Sequence, residues 1–212
     1  GFHSSDSSGS FFKNCISHDH TGSNAHGFIV SSTGELDCVG CIADTCGGRG
    51  WLLPTSTSLR LDNCLAYNCT GSGLETSANN STITAENCHF VSNGDYGVEV
   101  SAGTPAQAVI YLDNCGFYGN TTGTVSAGAS IRNTGQITYT ASPLTDPANG
   151  DFSLNSNASG GTLAKGTGRG VFTQQIGYSG SSVAYPSIGP VQNLIVAAVV
   201  GIVTLGRMFQ RF

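Results

Sequence analysis

One dipeptide, Asn-Cys, returns along this chain at nearly constant intervals. It stands in Lys13-Asn14-Cys15, Asp62-Asn63-Cys64, Glu86-Asn87-Cys88 and Asp113-Asn114-Cys115, with a near match at Leu36-Asp37-Cys38. The cysteines at 15, 38, 64, 88 and 115 are thus 23, 26, 24 and 27 residues apart. A fixed period of this length marks a solenoid, in which one repeat cannot bury its own inner face and the next repeat covers it. The flanking residues repeat too. Leu59-Arg60-Leu61-Asp62, Ile83-Thr84-Ala85-Glu86 and Ile110-Tyr111-Leu112-Asp113 alternate apolar and polar side chains as strands do.

A second short strand follows a glycine in Gly27-Phe28-Ile29-Val30, Gly50-Trp51-Leu52-Leu53, Gly73-Leu74 and Gly97-Val98-Glu99-Val100. Each repeat therefore offers at least two strands, separated by turns rich in Asn and Gly, which tolerate a left-handed backbone. Helical periodicity is absent from this stretch. The pattern predicts an all-β, parallel β-helix solenoid of about 5–6 coils over residues 1–140, the last one a degraded coil around Ile131-Arg132-Asn133-Thr134. Coils stack at a spacing of about 4.8 Å. Cys15, Cys38, Cys64, Cys88 and Cys115 are expected to point inward as one stacked column, with Asn14, Asn63, Asn87 and Asn114 at the corners.

Composition agrees with a stacked β structure. Only 10% of the 212 residues are charged, while Gly occupies 30 positions. Stacked like charges repel along a ladder, whereas stacked Asn, Ser and Thr can hydrogen-bond. The net charge of -5 gives no basic footprint, which sets nucleic acid aside as a partner. Eight cysteines leave disulfides open between Cys64 and Cys69 or within Cys38, Cys41 and Cys46. The 3- and 5-residue steps of that last cluster make a weak metal signature, so no cofactor or metal is expected.

These repeats resemble the right-handed parallel β-helix repeat family, the large group that includes pectate-lyase-like proteins and many exported bacterial and phage proteins. The resemblance spans about residues 1 to 190. It rests on the Asp-Asn-Cys coils and on Asp146-Pro147-Ala148-Asn149-Gly150-Asp151-Phe152-Ser153-Leu154 with the later Ile188-Gly189-Pro190-Val191-Gln192. It implies a right-handed coil and an extracellular, cell-surface or particle-surface location. The fold itself hosts lyases, hydrolases, adhesins and tail proteins, so it fixes no activity.

The chain opens on Gly1-Phe2-His3-Ser4 with neither an initiator Met nor a signal peptide, and these residues read as the interior of a coil. Processing from a precursor or further sequence upstream is the expectation. Residues 141–190 lose the strand pattern and are broken by Pro and Gly, which predicts a loop-rich wrap over the last coil through Phe152, Leu154, Val171 and Phe172.

Residues 191–212 carry the sharpest local feature. Leu194, Ile195, Val196, Ala197, Val200, Gly201, Ile202, Val203 and Leu205 belong to 13 successive residues without a charge, and Arg207 and Arg211 follow. As a helix this segment is apolar on every side, so it is expected to be sequestered in lipid or protein. At roughly 20 Å it is short for a hydrocarbon core of roughly 30 Å. A membrane anchor, a helix that packs in a homo-oligomer or larger assembly, and a sorting tail all remain open.

Candidate chemistry is sparse. Ser17-His18-Asp19-His20 with His26 is the best local grouping of acid-base side chains, and Asp44 and Asn68 would lie beside it on the next coils. The same run reads equally well as a polar turn. Arg49 and Arg60 could serve a lyase but sit in no motif, and Asp95 with Glu99 beside Tyr96 is a weaker pair. The expected function is that of a structural or interaction protein, displayed outside the cell or on a particle through its C-terminal segment. The alternative is a polysaccharide lyase, a hydrolase or a glycan-binding module.

Overall fold

In the structure, a computed structural model, residues 1–5, 9–31, 33–78, 80–101, 108–126, 130–165 and 167 are described. The apolar segment from Leu194 to Leu205 lies outside them, as do Val171 and Phe172. Among the described residues no helix is long and apolar enough to cross a membrane.

Each coil contains three strands, one more than the repeats required. Sheet A takes Phe2–Ser4, Phe28–Val30, Trp51–Leu53, Leu74–Thr76, Tyr96–Val100 and Gly123–Val125. Sheet B takes Ser10–Lys13, Glu35–Val39, Ser58–Asp62, Thr82–Glu86, Val109–Asp113 and Ser130–Thr134. Sheet C takes Ile16–His20, Ile42–Cys46, Leu65–Tyr67, His89–Val91, Gly116–Tyr118 and Ile137–Thr138. All three sheets are parallel and six-stranded, so the body makes five complete turns and most of a sixth. The degraded last coil is present, as Ser130–Thr134 and Ile137–Thr138.

Parallel, in-register stacking turns the alternation of each strand into columns of like side chains. Phe28 stacks on Trp51 at 5.1 Å between ring centroids and on Phe2 at 5.1 Å, inside sheet A. Inside sheet B, Leu36, Leu59, Ile83 and Ile110 follow one another in register. Inside sheet C the column is Ala43, Ala66, Phe90 and Phe117. Together these residues form one continuous buried core. The glycines that precede the sheet A strands are set by close approach. A Cβ on Gly73 would stand 2.7 Å from the carbonyl oxygen of Gly97 on the next coil.

From sheet B to sheet C the chain turns in two residues. The first adopts a positive φ at Asn14 (53°), Gly40 (64°), Asn63 (52°), Asn87 (53°) and Asn114 (49°), a conformation that Asn and Gly tolerate best. The second is Cys15, Cys41, Cys64, Cys88 or Cys115. This register corrects the column expected from the sequence. Cys41, not Cys38, is the corner thiol of the second coil, while Cys38 pairs with Phe12 and Leu61 inside sheet B. The reason is conformational, because Gly40 supplies the left-handed corner that Asn supplies elsewhere and Asp37 lies within a strand.

All eight thiols are free. Cys41, Cys64 and Cys115 direct their sulfurs at carbonyl oxygens one coil back, those of Phe12 (3.5 Å), Cys38 (3.4 Å) and Ala85 (3.3 Å). Burial holds the Cys64 and Cys88 thiols well above the usual thiol range and keeps them neutral, whereas hydrogen bonds from Cys38 and then Cys64 pull the Cys41 thiol down.

After the coil ends the chain doubles back. Leu144–Asp146 and Asp151–Leu154 form an antiparallel hairpin around the 3-10 turn Pro147–Asn149, and the one-turn helix Gly161–Ala164 follows. This strap lies along the outer face of sheet C and not over the end of the last coil. Leu144, Phe152, Leu154 and Ala164 pack there with Ile42, Leu65, Val91 and Tyr139 as a second apolar cluster. The outward side chains of sheet C that meet it, Ile42, Leu65 and Val91, are apolar, which explains the choice of surface. Asn155 pins the strap. Its Nδ2 donates to the carbonyls of Ser142 (2.7 Å) and Leu144 (2.9 Å), and its Oδ1 accepts from the Gly161 amide (3.0 Å).

Candidate functional site

A second corner, where the chain leaves sheet C, also begins with a left-handed residue. Asp19 (55°), Thr45 (49°), Asn68 (53°), Ser92 (57°) and Gly119 (64°) hold it on successive coils. The residue after it turns inward: His20, Cys46, Cys69, Asn93 and Asn120. Asn93 Nδ2 donates to the Ala66 carbonyl (3.3 Å) and Asn120 Nδ2 to that of Phe90 (2.9 Å), the same kind of partner that Cys69 reaches at the Ala43 carbonyl (3.9 Å). The left-handed residues keep their side chains outside. For Thr45, β-branching makes this conformation costly, on the order of 1–2 kcal/mol, and such strain concentrates at functional positions.

These outward side chains meet the turn of the strap in a cleft of about 550 Å³. His18, Asp19, Asp44, Thr45, Tyr67 and Asn68 line it from three coils, and Pro147, Ala148, Asn149 and Gly150 close its other side. His18, Asp44 and Tyr67 are in register on adjacent strands. A relay fixes the polar groups. Asn68 Nδ2 donates to Thr45 Oγ1 (3.3 Å), and Thr45 Oγ1 donates to Asp44 Oδ1 (2.8 Å). His18 Nδ1 lies 3.1 Å from Asp19 Oδ2, with both side chains mostly exposed. Burial raises the carboxyl of Asp44, and the charge of Asp19 adds to the effect. Burial likewise raises the Tyr67 phenol, followed by Asp44 and Asp146. Asp146 is held beside the cleft by Asn149 Nδ2, which donates to it at 2.8 Å.

The four acid-base residues singled out in the sequence do not converge. His18 and Asp19 line the cleft. His20 turns toward the coil, where Nε2 sits 2.8 Å from Ser17 Oγ. His26 is buried at the entry to sheet A and accepts the Arg49 backbone N–H at Nδ1 (3.0 Å), so it is neutral, its pKa lowered by burial and then by Arg49. Asp44 and Asn68 do join His18 and Asp19. Tyr67 and the turn of the strap escaped the sequence reading. Tyr67 could have been found from its place one residue before the left-handed corner, but nothing local tells where the strap returns.

Arg49 belongs to another group, on the outer face of sheet A. There Glu75 and Glu99 are in register on adjacent strands, an arrangement in which like charges repel. Arg49 Nε and Ser101 Oγ donate to Glu75, and Ser72 Oγ donates to Glu99. Glu99 is raised by burial, with Glu75 and Asp95 adding to it. Glu75 is only 4% exposed, so the group is an internally satisfied network and presents little to solvent. Arg60 lies on sheet B, in register with Asp37 and Thr84, away from both groups.

The family model described as right handed beta helix region matches residues 1–142 of the chain. No curated protein and no solved structure matches it.

Proposed function

This chain belongs to the right-handed β-helix family, and from that premise we propose an interaction protein, a rigid coil that offers its sheet C cleft to a glycan. The observation that carries the reading is the cleft itself. It combines an aromatic side chain, Tyr67, with hydroxyl, amide and carboxylate groups on a scaffold that packing holds in place. Sugars need this combination, since they present apolar ring faces and many hydroxyls together. The left-handed corners repeat at the coil spacing of about 4.8 Å, so the polar groups run along the solenoid axis as an extended ligand would.

The second half of the proposal concerns placement. The apolar segment 194–206 anchors the coil in a membrane or assembles it with other copies, outside the cell or on a particle. Leaving such a segment in water would forfeit on the order of 1 kcal/mol or more for each large side chain. Deleting residues 193–212 is expected to release a folded monomer, while the intact chain sediments with membrane or as a large oligomer. An intact chain that runs as a monomer without detergent overturns this half.

The raised carboxyl of Asp44 beside Asp19 favours one further reading, a hydrolase with Asp44 as general acid. The two readings separate in one experiment. A binding module retains oligosaccharides unchanged in the cleft, whereas a hydrolase releases reducing ends and loses that activity in Asp44→Asn.

A further inference from the structure

The charge of the cleft says which glycans it accepts. We infer that its ligand is a neutral oligosaccharide and that the cleft rejects polyuronates; this inference rests on the glycan reading above. Among the described residues no Lys or Arg lines the cleft. The one cationic candidate among its described residues, His18, already faces the Asp19 carboxylate at 3.1 Å. That leaves Asp44, partly removed from water, with Asp146 of the strap close enough to act on the same phenol of Tyr67. A uronate carboxylate entering here meets the Asp19 and Asp44 carboxylates that line the cleft and the charge of Asp146 behind them, with no Lys or Arg among the described residues of the lining, and repulsion between partly buried charges is poorly screened by salt.

A neutral sugar meets the opposite situation. Its hydroxyls donate to Asp44 and Asp19, and these charge-assisted bonds are stronger than bonds between neutral groups. Its ring face can lie against Tyr67, while Asn68 supplies amide groups of both polarities. The relay from Asn68 through Thr45 to Asp44 fixes the Asp44 acceptor before the ligand arrives, so little ordering cost remains.

The same geometry sets the dependence on pH. The groups around Asp44 are His18 and Asp19 on the coil below, Tyr67 on the coil above and Asp146 on the strap. A hydroxyl donor binds the ionised carboxyl better, so neutral-sugar affinity rises as pH increases through the raised Asp44 range. A uronate shows the reverse trend, gaining as Asp44 takes up its proton.

Isothermal titration of the full chain with cellohexaose, xylohexaose and mannohexaose, against hexamers of galacturonate and mannuronate, tests the inference at low ionic strength. At least one neutral hexamer is expected to bind tenfold or more tighter than either uronate, and Asp44→Asn is expected to narrow that gap severalfold. Uronate binding that equals or exceeds neutral binding overturns the charge selection and leaves the glycan reading standing. Absence of binding to all five hexamers overturns both.

Discussion

The two corners that bracket sheet C solve one backbone problem with two vocabularies. At the first, the left-handed residue is Asn or Gly and the next residue is Cys through five coils, from Asn14-Cys15 to Asn114-Cys115. At the second, the left-handed residue changes from Asp19 to Thr45, Asn68, Ser92 and Gly119, and the inward residue from His20 through Cys46 and Cys69 to Asn93 and Asn120. Cys41, Cys64, Cys88 and Cys115 at the first corner are almost completely buried, and so are Cys46, Cys69 and Asn93 at the second. The inward residue of either corner reaches a carbonyl one coil back, with a thiol at the first and with a thiol or an amide at the second. Outside, the second corner lines the cleft. Uniform sequence thus marks a packing constraint, and varied sequence marks a surface that has room to specialise.

The largest expected effect breaks the first corner. Cys88→Asp places a carboxyl among thiols and apolar side chains and should cost several kcal/mol, whereas Cys88→Ala should cost about 1–3 kcal/mol. Chemical denaturation of the two variants decides it, and equal midpoints would show that Cys88 does not face the core.

Next in size comes an acid effect confined to the strap side of sheet C. His89 is fully buried between sheet C and Tyr139, whose hydroxyl lies 3.0 Å from Nε2, and burial pushes its pKa from 6.5 down to about 3. The unfolded chain therefore binds a proton below about pH 6.5 that the folded chain refuses until about pH 3. Stability attributable to this site falls as pH drops through that window, by up to about 1.4 kcal/mol per pH unit. The double variant His89→Leu/Tyr139→Phe should flatten the wild-type loss of Tm between pH 6.5 and 4. A slope that is unchanged in the double variant removes His89 as its cause.

An exchange of vocabularies sharpens the comparison at smaller cost. Cys69→Asn continues the amide ladder of Asn93 and Asn120 and should be tolerated within about 1 kcal/mol, because its Nδ2 can reach the Ala43 carbonyl now faced by the Cys69 sulfur. Cys64→Asn puts the same amide in the first corner, away from that ladder, and should cost about 1–3 kcal/mol. Equal costs, read from denaturation midpoints, would erase the distinction between the corners. The smallest effect has the opposite sign. Thr45→Asn relieves a β-branched residue at φ 49° and should stabilise the coil by about 1 kcal/mol, while weakening whatever the cleft holds through loss of the hydroxyl on Asp44.

The same contrast explains what the sequence disclosed. The period, the parallel strands and the positions of Asn14, Asn63, Asn87 and Asn114 were legible because the first corner repeats its letters along with its conformation. Cys38 was misplaced because Asp37-Cys38 resembles Asn-Cys in letters, whereas Gly40-Cys41 matches it in backbone angle. The third strand of each coil passed unseen because sheet C strands are short and variable, from Ile16–His20 to Ile137–Thr138. Four of the ten residues that line the cleft were readable, since His18 and Asp19 form a polar run and the period brings Asp44 and Asn68 alongside. Asn149 was not, because only the apolar outer face of sheet C determines where the strap returns, and that face appears once three strands have been assigned.

The central claim is that neighbouring residues at the second corner divide their work, the left-handed residue facing ligand and its successor holding the coil. Titration of a neutral hexamer, paired with a denaturation curve, on Asn68→Gly and Cys69→Asp tests it most directly. The account expects Asn68→Gly to lose most of its affinity at an unchanged midpoint, and Cys69→Asp to lose several kcal/mol of stability. An Asn68→Gly protein that unfolds early, or binds as tightly as the wild type, would contradict it.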